Sequence, residues 1–141
     1  MRIAVIGPSA PDDLAFLVGK GAREHGHEVV HFDRTYGKSG TYGRIQAAIP
    51  VLLRDPRLGP YLDAWPLRSL RSADFDLVIT TISLRPETVR KLAGSSTPIV
   101  YWYPDHLSNL GSLWMFAAPY SAIFLTDPEF VQRLNSMTIS N

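Results

Sequence analysis

An ionisable pair, Asp105 and His106, directly follows a strongly hydrophobic run of the sequence. The run, PIVYWY over residues 98–103, is typical of a strand buried in a sheet, and it ends in Pro, Asp, His, Ser and Asn. A carboxylate or imidazole at such a point can accept a proton from a hydroxyl group, as a general base does in transfer to an alcohol. The alternative is turn chemistry, in which Asp105 caps the next helix and His106 is solvated. The residues leave both interpretations open.

Strands and helices alternate along the chain, which predicts the scaffold that positions this pair. Apolar runs predict strands over residues 2–7, 27–33, 75–81, 98–103 and 121–127. Amphipathic segments predict helices from Pro11 to a stop at His25 and Gly26, from Pro86 to the residue before Gly94, and over residues 128–137. Further helical pieces are predicted between residues 44 and 70. This alternation predicts an α/β fold, a Rossmann-like doubly wound parallel sheet of about five strands with helices on both faces. We expect the strand order 3-2-1-4-5.

Composition indicates one globular domain over residues 1–141, since 45% of the residues are hydrophobic and 19% are charged. The net charge is +1 and the basic residues are scattered, so no nucleic-acid partner is expected. The absence of cysteine excludes disulfides and thiolate metal sites and fits a reducing compartment. The apolar N-terminus is too short for a signal peptide, and no run reaches the roughly 18 residues of a membrane span. We expect a cytoplasmic protein without a membrane span.

In such a sheet, ligands bind outside the carboxyl ends of the strands, near the switch point, which the predicted order puts between strands 1 and 4. This rule selects residues 7–9, 33–36, 80–83, 104–109 and 126–127. Within these segments we predict that substrate is bound by Gly7, Pro8, Ser9, Thr81, Ser83, Asn109, Thr126 and Asp127.

Several common nucleotide and metal sites are disfavoured by the residues present. Gly7 is the only glycine where a dinucleotide fold carries three, so Asp33 is not expected to bind a ribose. A receiver domain would need an acidic acceptor after the third strand, where this chain has TTIS, and no Walker signature occurs. His25, His27 and His31 lack a completing ligand set, so capping or surface roles are favoured and we assign no metal site.

Three segments resemble a known family: residues 76–92 (DLVITTISLRPETVRKL), 97–109 (TPIVYWYPDHLSN) and 120–134 (YSAIFLTDPEFVQRL). They are similar to the N-terminal half of bacterial GT-B glycosyltransferases, most of all to the glycosyltransferase-like family named after a spore maturation protein. That family has a D-L-V-I strand, a P-E-T helix start, a strand ending in W-Y-x-D, and a D-x-x-F-x-x-D-P junction. Ser121 stands where the family more often has Asp.

The resemblance implies the acceptor-side half of a sugar-nucleotide-dependent glycosyltransferase. A C-terminal Rossmann domain or partner subunit would hold the nucleotide sugar, so no cofactor is expected on this domain alone. Asp105 and His106 would be the catalytic base or acceptor contacts, and residues 7–9 would line the cleft for a sugar or other hydroxyl acceptor. Thr126 and Asp127 would shape its floor.

The length of the chain limits the transferase activity that we expect of it. A two-domain enzyme of this kind needs about twice as many residues or more, so 141 residues fit an excised domain, a truncation or one subunit of a split enzyme. We therefore expect no transfer by the chain alone. The alternative function is a non-catalytic Rossmann-like binding or assembly module, for example a homodimer, which would bury Asp105 and His106 rather than expose them beside Gly7.

Overall fold

A computed structural model describes residues 1–33, 55, 57–64, 67–70, 74–93, 96–103 and 114–126. The elements in these ranges are β1 (Arg2–Gly7), α1 (Leu14–Glu24), β2 (Glu28–Asp33), α2 (Gly59–Ala64), β3 (Leu77–Thr80), α3 (Pro86–Leu92), β4 (Ile99–Tyr103), α4 (Trp114–Ala117) and β5 (Ala122–Leu125). All five predicted strands are therefore confirmed, four of them with slightly shorter bounds. The helix predicted over residues 128–137 lies outside the described residues.

The five strands form one all-parallel sheet, which confirms the predicted α/β fold class. Counted along the chain, the order is β2-β1-β3-β4-β5. It differs from the expected 3-2-1-4-5 in one place, because β3 pairs with β1 instead of lying beyond β2. A physical reason is burial. Every residue of β1 after Arg2 is buried, whereas β2 is only half-buried, so the sheet places β1 between two strands and β2 at an edge.

Helices pack on both faces of the sheet, as predicted for a doubly wound fold. Side chains alternate along β1, so its two sets of apolar residues join different core clusters. One cluster combines Ala4 and Ile6 with Val89 and Leu92 of α3; the other combines Ile3 and Val5 with Ala15, Val18 and Ala22 of α1. Because α1 follows β1 and α3 follows β3, the chain leaves these neighbouring strands toward opposite faces. The switch point therefore lies between β1 and β3.

The predicted helix ends are confirmed where the structure describes them. The backbone N–H and the ring Nδ1 of His25 approach the Gly21 carbonyl at 3.1 and 2.8 Å, and Gly26 has the left-handed φ of 80° that a helix stop favours. His25 thus caps α1, one of the two roles that its sequence context favoured. Pro86 occupies the first turn of α3, where its missing N–H has no intrahelical partner to lose.

In the part of the chain that the structure describes, no helix combines the length and the apolar character that crossing a membrane would require.

Candidate functional site

The candidate site lies at the carboxyl edge of the sheet, where β1, β2 and β3 end side by side. Parallel pairing brings Gly7 opposite Asp33, and Ile6 opposite Thr80. The turns that follow β1 and β3 lead to helices on opposite faces of the sheet, and ligands of open α/β sheets bind at such a switch point. The structure thus places the predicted Gly7, Pro8, Ser9, Thr81 and Ser83 at one edge.

An exposed hydroxyl–carboxylate pair forms the polar centre of this edge. The Ser9 hydroxyl donates a hydrogen bond to Oδ2 of Asp33, and both residues are exposed to solvent. This contact fixes the turn after β1 against the end of β2. A carboxylate has several acceptor positions on its two oxygens, so a carboxylate that holds a serine hydroxyl can also accept other hydrogen bonds.

The turn after β1 depends on the absence of a side chain at Gly7. A Cβ built there would lie 2.3 Å from Oγ1 of Thr81 and 2.7 Å from Cβ of Ala15. The backbone N–H of Thr81 donates to the carbonyl of Ile6 at 3.0 Å, which holds the start of the β3–α3 connection against β1. Glycine therefore lets β1, α1 and Thr81 approach more closely than any other residue would allow.

His31 supports the same turn from β2. Its ring Nε2 lies 2.9 Å from the carbonyl oxygen of Gly7, so a proton on Nε2 is donated to that oxygen. The contact is partly buried, and the ring lies against α1, where its Nδ1 would be 3.9 Å from a Cβ at Gly19. His31 thus orients the turn that carries Ser9. The sequence predicted a surface or capping role for this histidine but gave no sign of this partner.

Two of the predicted site residues, Thr81 and Ser83, lie in the segment after β3, which hydrogen bonds hold in place. The fully buried Thr80 donates its hydroxyl to the Ile82 carbonyl at 2.8 Å. The Leu84 N–H donates to the Tyr120 hydroxyl at 3.2 Å, which links this connection to the β4–β5 half of the sheet. Among the described residues, Oγ of Ser83 has no hydrogen-bond partner and is shielded from solvent. A shielded hydroxyl of this kind calls for a hydrogen-bond partner, such as an ordered water or a ligand.

Buried tyrosine rings pack around β4, the strand that precedes the predicted site residues Asp105 and His106 in the sequence. Tyr101 and Tyr103 are buried, and the ring of Tyr101 stacks on Tyr120 with centroids 5.3 Å apart. Burial, with Tyr120 and Tyr103 nearby, raises the pKa of the Tyr101 phenol far above its ordinary value, so this ring stays neutral. It anchors β4 in the core.

The opposite face of the same strands is more open. Trp102 points away from Tyr101 and Tyr103 and lies 6.1 Å from Phe124, measured between ring centroids. Their side chains are 37% and 56% exposed. The partial exposure of Trp102 beside β5, the last strand of the described sheet, fits an interface anchor better than a core residue.

Four predicted site residues cannot be placed by the structure. Asp105, His106 and Asn109 follow β4 and Asp127 follows β5, and all four lie outside the described residues. Thr126 is described, is exposed, and follows Leu125, which is opposite Tyr103 in the register. Its position at the carboxyl end of β5 is therefore as predicted.

Asp33 lies at this edge but is not among the residues that the sequence predicts for the site. It ends β2 at the position of a ribose-binding acid, and the missing glycines argue against that function. The structure shows that it contacts Ser9 without any glycine-rich turn. The signal was its position at a strand's carboxyl end, which the topological rule alone had selected.

The described part of the chain offers no cluster of three or more His, Asp or Glu side chains able to hold a metal ion. Comparison of the chain with protein-family models gives no match, and comparison with curated proteins finds no relative. A function for this chain is therefore inferred from the geometry of the edge and from the motif resemblance.

Proposed function

We propose that the chain is the acceptor-side half of a sugar-nucleotide-dependent glycosyltransferase and that its carboxyl edge binds a hydroxyl-rich acceptor. The observation that carries this proposal is the exposed Ser9–Asp33 pair beside Thr81 at the switch point between β1 and β3. Hydroxyls and a carboxylate are suited to the donors and acceptors of a sugar ring.

Charge favours a neutral acceptor over a phosphate at this edge. Asp12 and Asp13 directly precede α1, and Asp33 lies beside the turn that leads to it. A phosphate-binding turn instead offers glycine N–H groups and an uncompensated helix N-terminus. Three carboxylates near the start of α1 would repel a nucleotide diphosphate, so its binding belongs to another domain or subunit.

The reaction itself would need a base and a donor. In the proposed scheme Asp105, or His106, accepts the proton of the acceptor hydroxyl as its oxygen bonds to the anomeric carbon of the donor sugar. The bond from that carbon to the nucleoside diphosphate breaks, and the diphosphate leaves with the electron pair. Because the donor is held elsewhere, the chain alone is expected to give no transfer, and sugar-nucleotide-dependent transfer by the pure chain would contradict its assignment as a half-enzyme. A cytoplasmic location is part of the same proposal.

Binding measurements on the wild-type chain and one variant test the acceptor site. Neutral methyl glycosides should bind at this edge, and Asp33→Asn should weaken the best of them about tenfold, because a hydrogen bond to a charged group contributes roughly 1.5 kcal/mol or more. Glu24→Gln, an exposed carboxylate at the other end of α1, is the matched control. Equal affinity in the two variants, or tighter binding of a nucleoside diphosphate than of any glycoside, would contradict the proposal.

A second candidate is a non-catalytic assembly module that pairs with another copy of itself. It is favoured by the partly exposed Trp102 of β4 and Phe124 of β5, since β5 is the last strand in the described sheet order. An edge strand of this kind can pair with a second copy. If this candidate is right, sedimentation of the wild-type chain gives a dimer and Phe124→Ser gives a monomer; a monomeric wild-type chain would exclude it.

A further inference from the structure

A pocket of about 230 Å³ lies between α3 and the described residues 64 and 67–70, apart from the carboxyl edge. Its wall on α3 comes from the later part of the helix, which runs back from the carboxyl edge toward the start of β4. The lining residues are Ala64, Leu67, Arg68, Leu70, Thr88, Lys91 and Leu92. None of them belongs to the proposed acceptor site.

The floor of the pocket is part of the main core. Leu67, Leu70 and Leu92 are 4%, 6% and 7% exposed and belong to the cluster that includes Ala4 and Ile6 of β1. An apolar group that enters the pocket would therefore contact side chains already fixed by core packing. Since those side chains are ordered in the folded protein, binding would require little further ordering of the wall.

The sides of the pocket are basic. Arg68 and Lys91 both line it and both are exposed to solvent. The ion pair that the structure describes on α3 joins Glu87 to Arg90 at 3.9 Å, and Lys91 forms none with any described residue. Among the lining residues that the structure describes there is no carboxylate. An anionic group at the mouth would therefore lie near the exposed ammonium group of Lys91, with the guanidinium group of Arg68 also on the wall.

We propose that this pocket binds a small amphipathic anion, a carboxylate with a short aliphatic or aromatic tail. The tail would contact the three leucines, and the carboxylate would lie between Arg68 and Lys91. The volume is below the roughly 300–1,000 Å³ of sites for drug-sized ligands and holds about eight heavy atoms at roughly 30 Å³ each. This inference does not depend on the proposed transferase function.

Octanoate is a suitable probe, with octanol and octylamine as partners of the same length. Calorimetry on the wild-type chain should rank octanoate above octanol by about two- to tenfold and place octylamine last, because exposed charge contacts contribute modestly. Lys91→Gln should weaken octanoate about two- to fivefold without changing octanol. Arg90→Gln, an adjacent exposed cation outside the lining, is the matched control and should change neither.

Filling the pocket provides a second, independent variant. Ala64→Leu adds apolar volume from α2 and should lower octanoate affinity at least about tenfold while leaving the glycoside affinity of the carboxyl edge unchanged. If that variant does not fold, the comparison of Lys91→Gln with Arg90→Gln still decides. No octanoate binding, equal binding of octanoate and octanol, or equal effects of Lys91→Gln and Arg90→Gln would overturn the proposal.

Discussion

The carboxyl edge and the pocket beside α3, here called the α3 pocket, are two regions of the protein with opposite chemistry. The edge carries the exposed Ser9–Asp33 pair, with carboxylates grouped near the start of α1. The pocket has an apolar leucine floor and two cations at its sides. The contrast has a structural origin. Polar groups gather where strands end and the chain turns, whereas the pocket is a place where helix packing leaves part of the core accessible.

The largest expected effect is on turnover, and it tests whether residues at the carboxyl edge, and not those at the α3 pocket, are needed for catalysis. In a complete or reconstituted enzyme, Asp105→Ala should reduce turnover by about two to four orders of magnitude if Asp105 is the general base. Lys91→Gln, at the pocket, should leave turnover unchanged in the same assay. A loss of turnover below tenfold for Asp105→Ala would instead favour the alternative interpretation, in which Asp105 caps a helix.

A glycine comparison tests the close packing that builds the edge. Gly7→Ala should lower the free energy of unfolding by about 1–3 kcal/mol, because the new Cβ would overlap Thr81 and Ala15. Gly21→Ala is the matched control on α1. A Cβ there has nothing within 4 Å, and the higher helix propensity of alanine should raise the free energy of unfolding by about 0.5–1 kcal/mol. Urea unfolding of both variants measures the difference; equal effects would show that Gly7 is not a tight contact.

Alkaline pH tests the burial of Tyr101 in β4, whereas the leucine floor of the α3 pocket holds no titratable group. The pKa of Tyr101 is raised above its ordinary value of 10.0, mainly by burial. Above pH 10 the unfolded chain loses this proton while the folded protein keeps it, so the free energy of unfolding should fall with pH, by at most about 1.4 kcal/mol per pH unit. Below pH 10 the protonated phenol contributes no pH dependence.

The variant Tyr101→Phe should remove this alkaline component from the unfolding curves. Tyr61→Phe serves as its control, since Tyr61 is 77% exposed and should behave as the wild type does. Identical pH profiles for wild type and Tyr101→Phe would show that the phenol titrates normally in the folded protein.

The sequence predicted the parts of the fold that depend on local pattern. Apolar runs located all five strands, and Pro86 and Gly26 marked helix ends that the structure confirms. The neighbour of β3 was not predictable in this way, because pairing depends on which strand is the most completely buried. Strand pairing therefore depends on packing across the whole sheet, which no single segment of the sequence encodes.

The carboxyl edge and the α3 pocket also differ in how far the sequence predicts them. Gly7, Pro8, Ser9, Thr81 and Ser83 were selected from the sequence, because a topological rule assigns function to strand ends. The support of this edge by His31, and the contact between Ser9 and Asp33, depend on side chains 24 residues away in the chain. The pocket left no signal, since Leu67, Leu70 and Leu92 have the pattern of ordinary core leucines.

The central claim is that the carboxyl edge receives a hydroxyl-rich ligand, and amide chemical-shift mapping tests it most directly. A neutral methyl glycoside should be titrated into isotopically labelled protein, with a nucleoside diphosphate in a parallel series. The account predicts saturable shifts at Gly7, Ser9, Asp33 and Thr81 with the glycoside, and weaker or no shifts there with the diphosphate. Shifts confined to the α3 pocket, or no saturable shift with any glycoside of a broad panel, would contradict it.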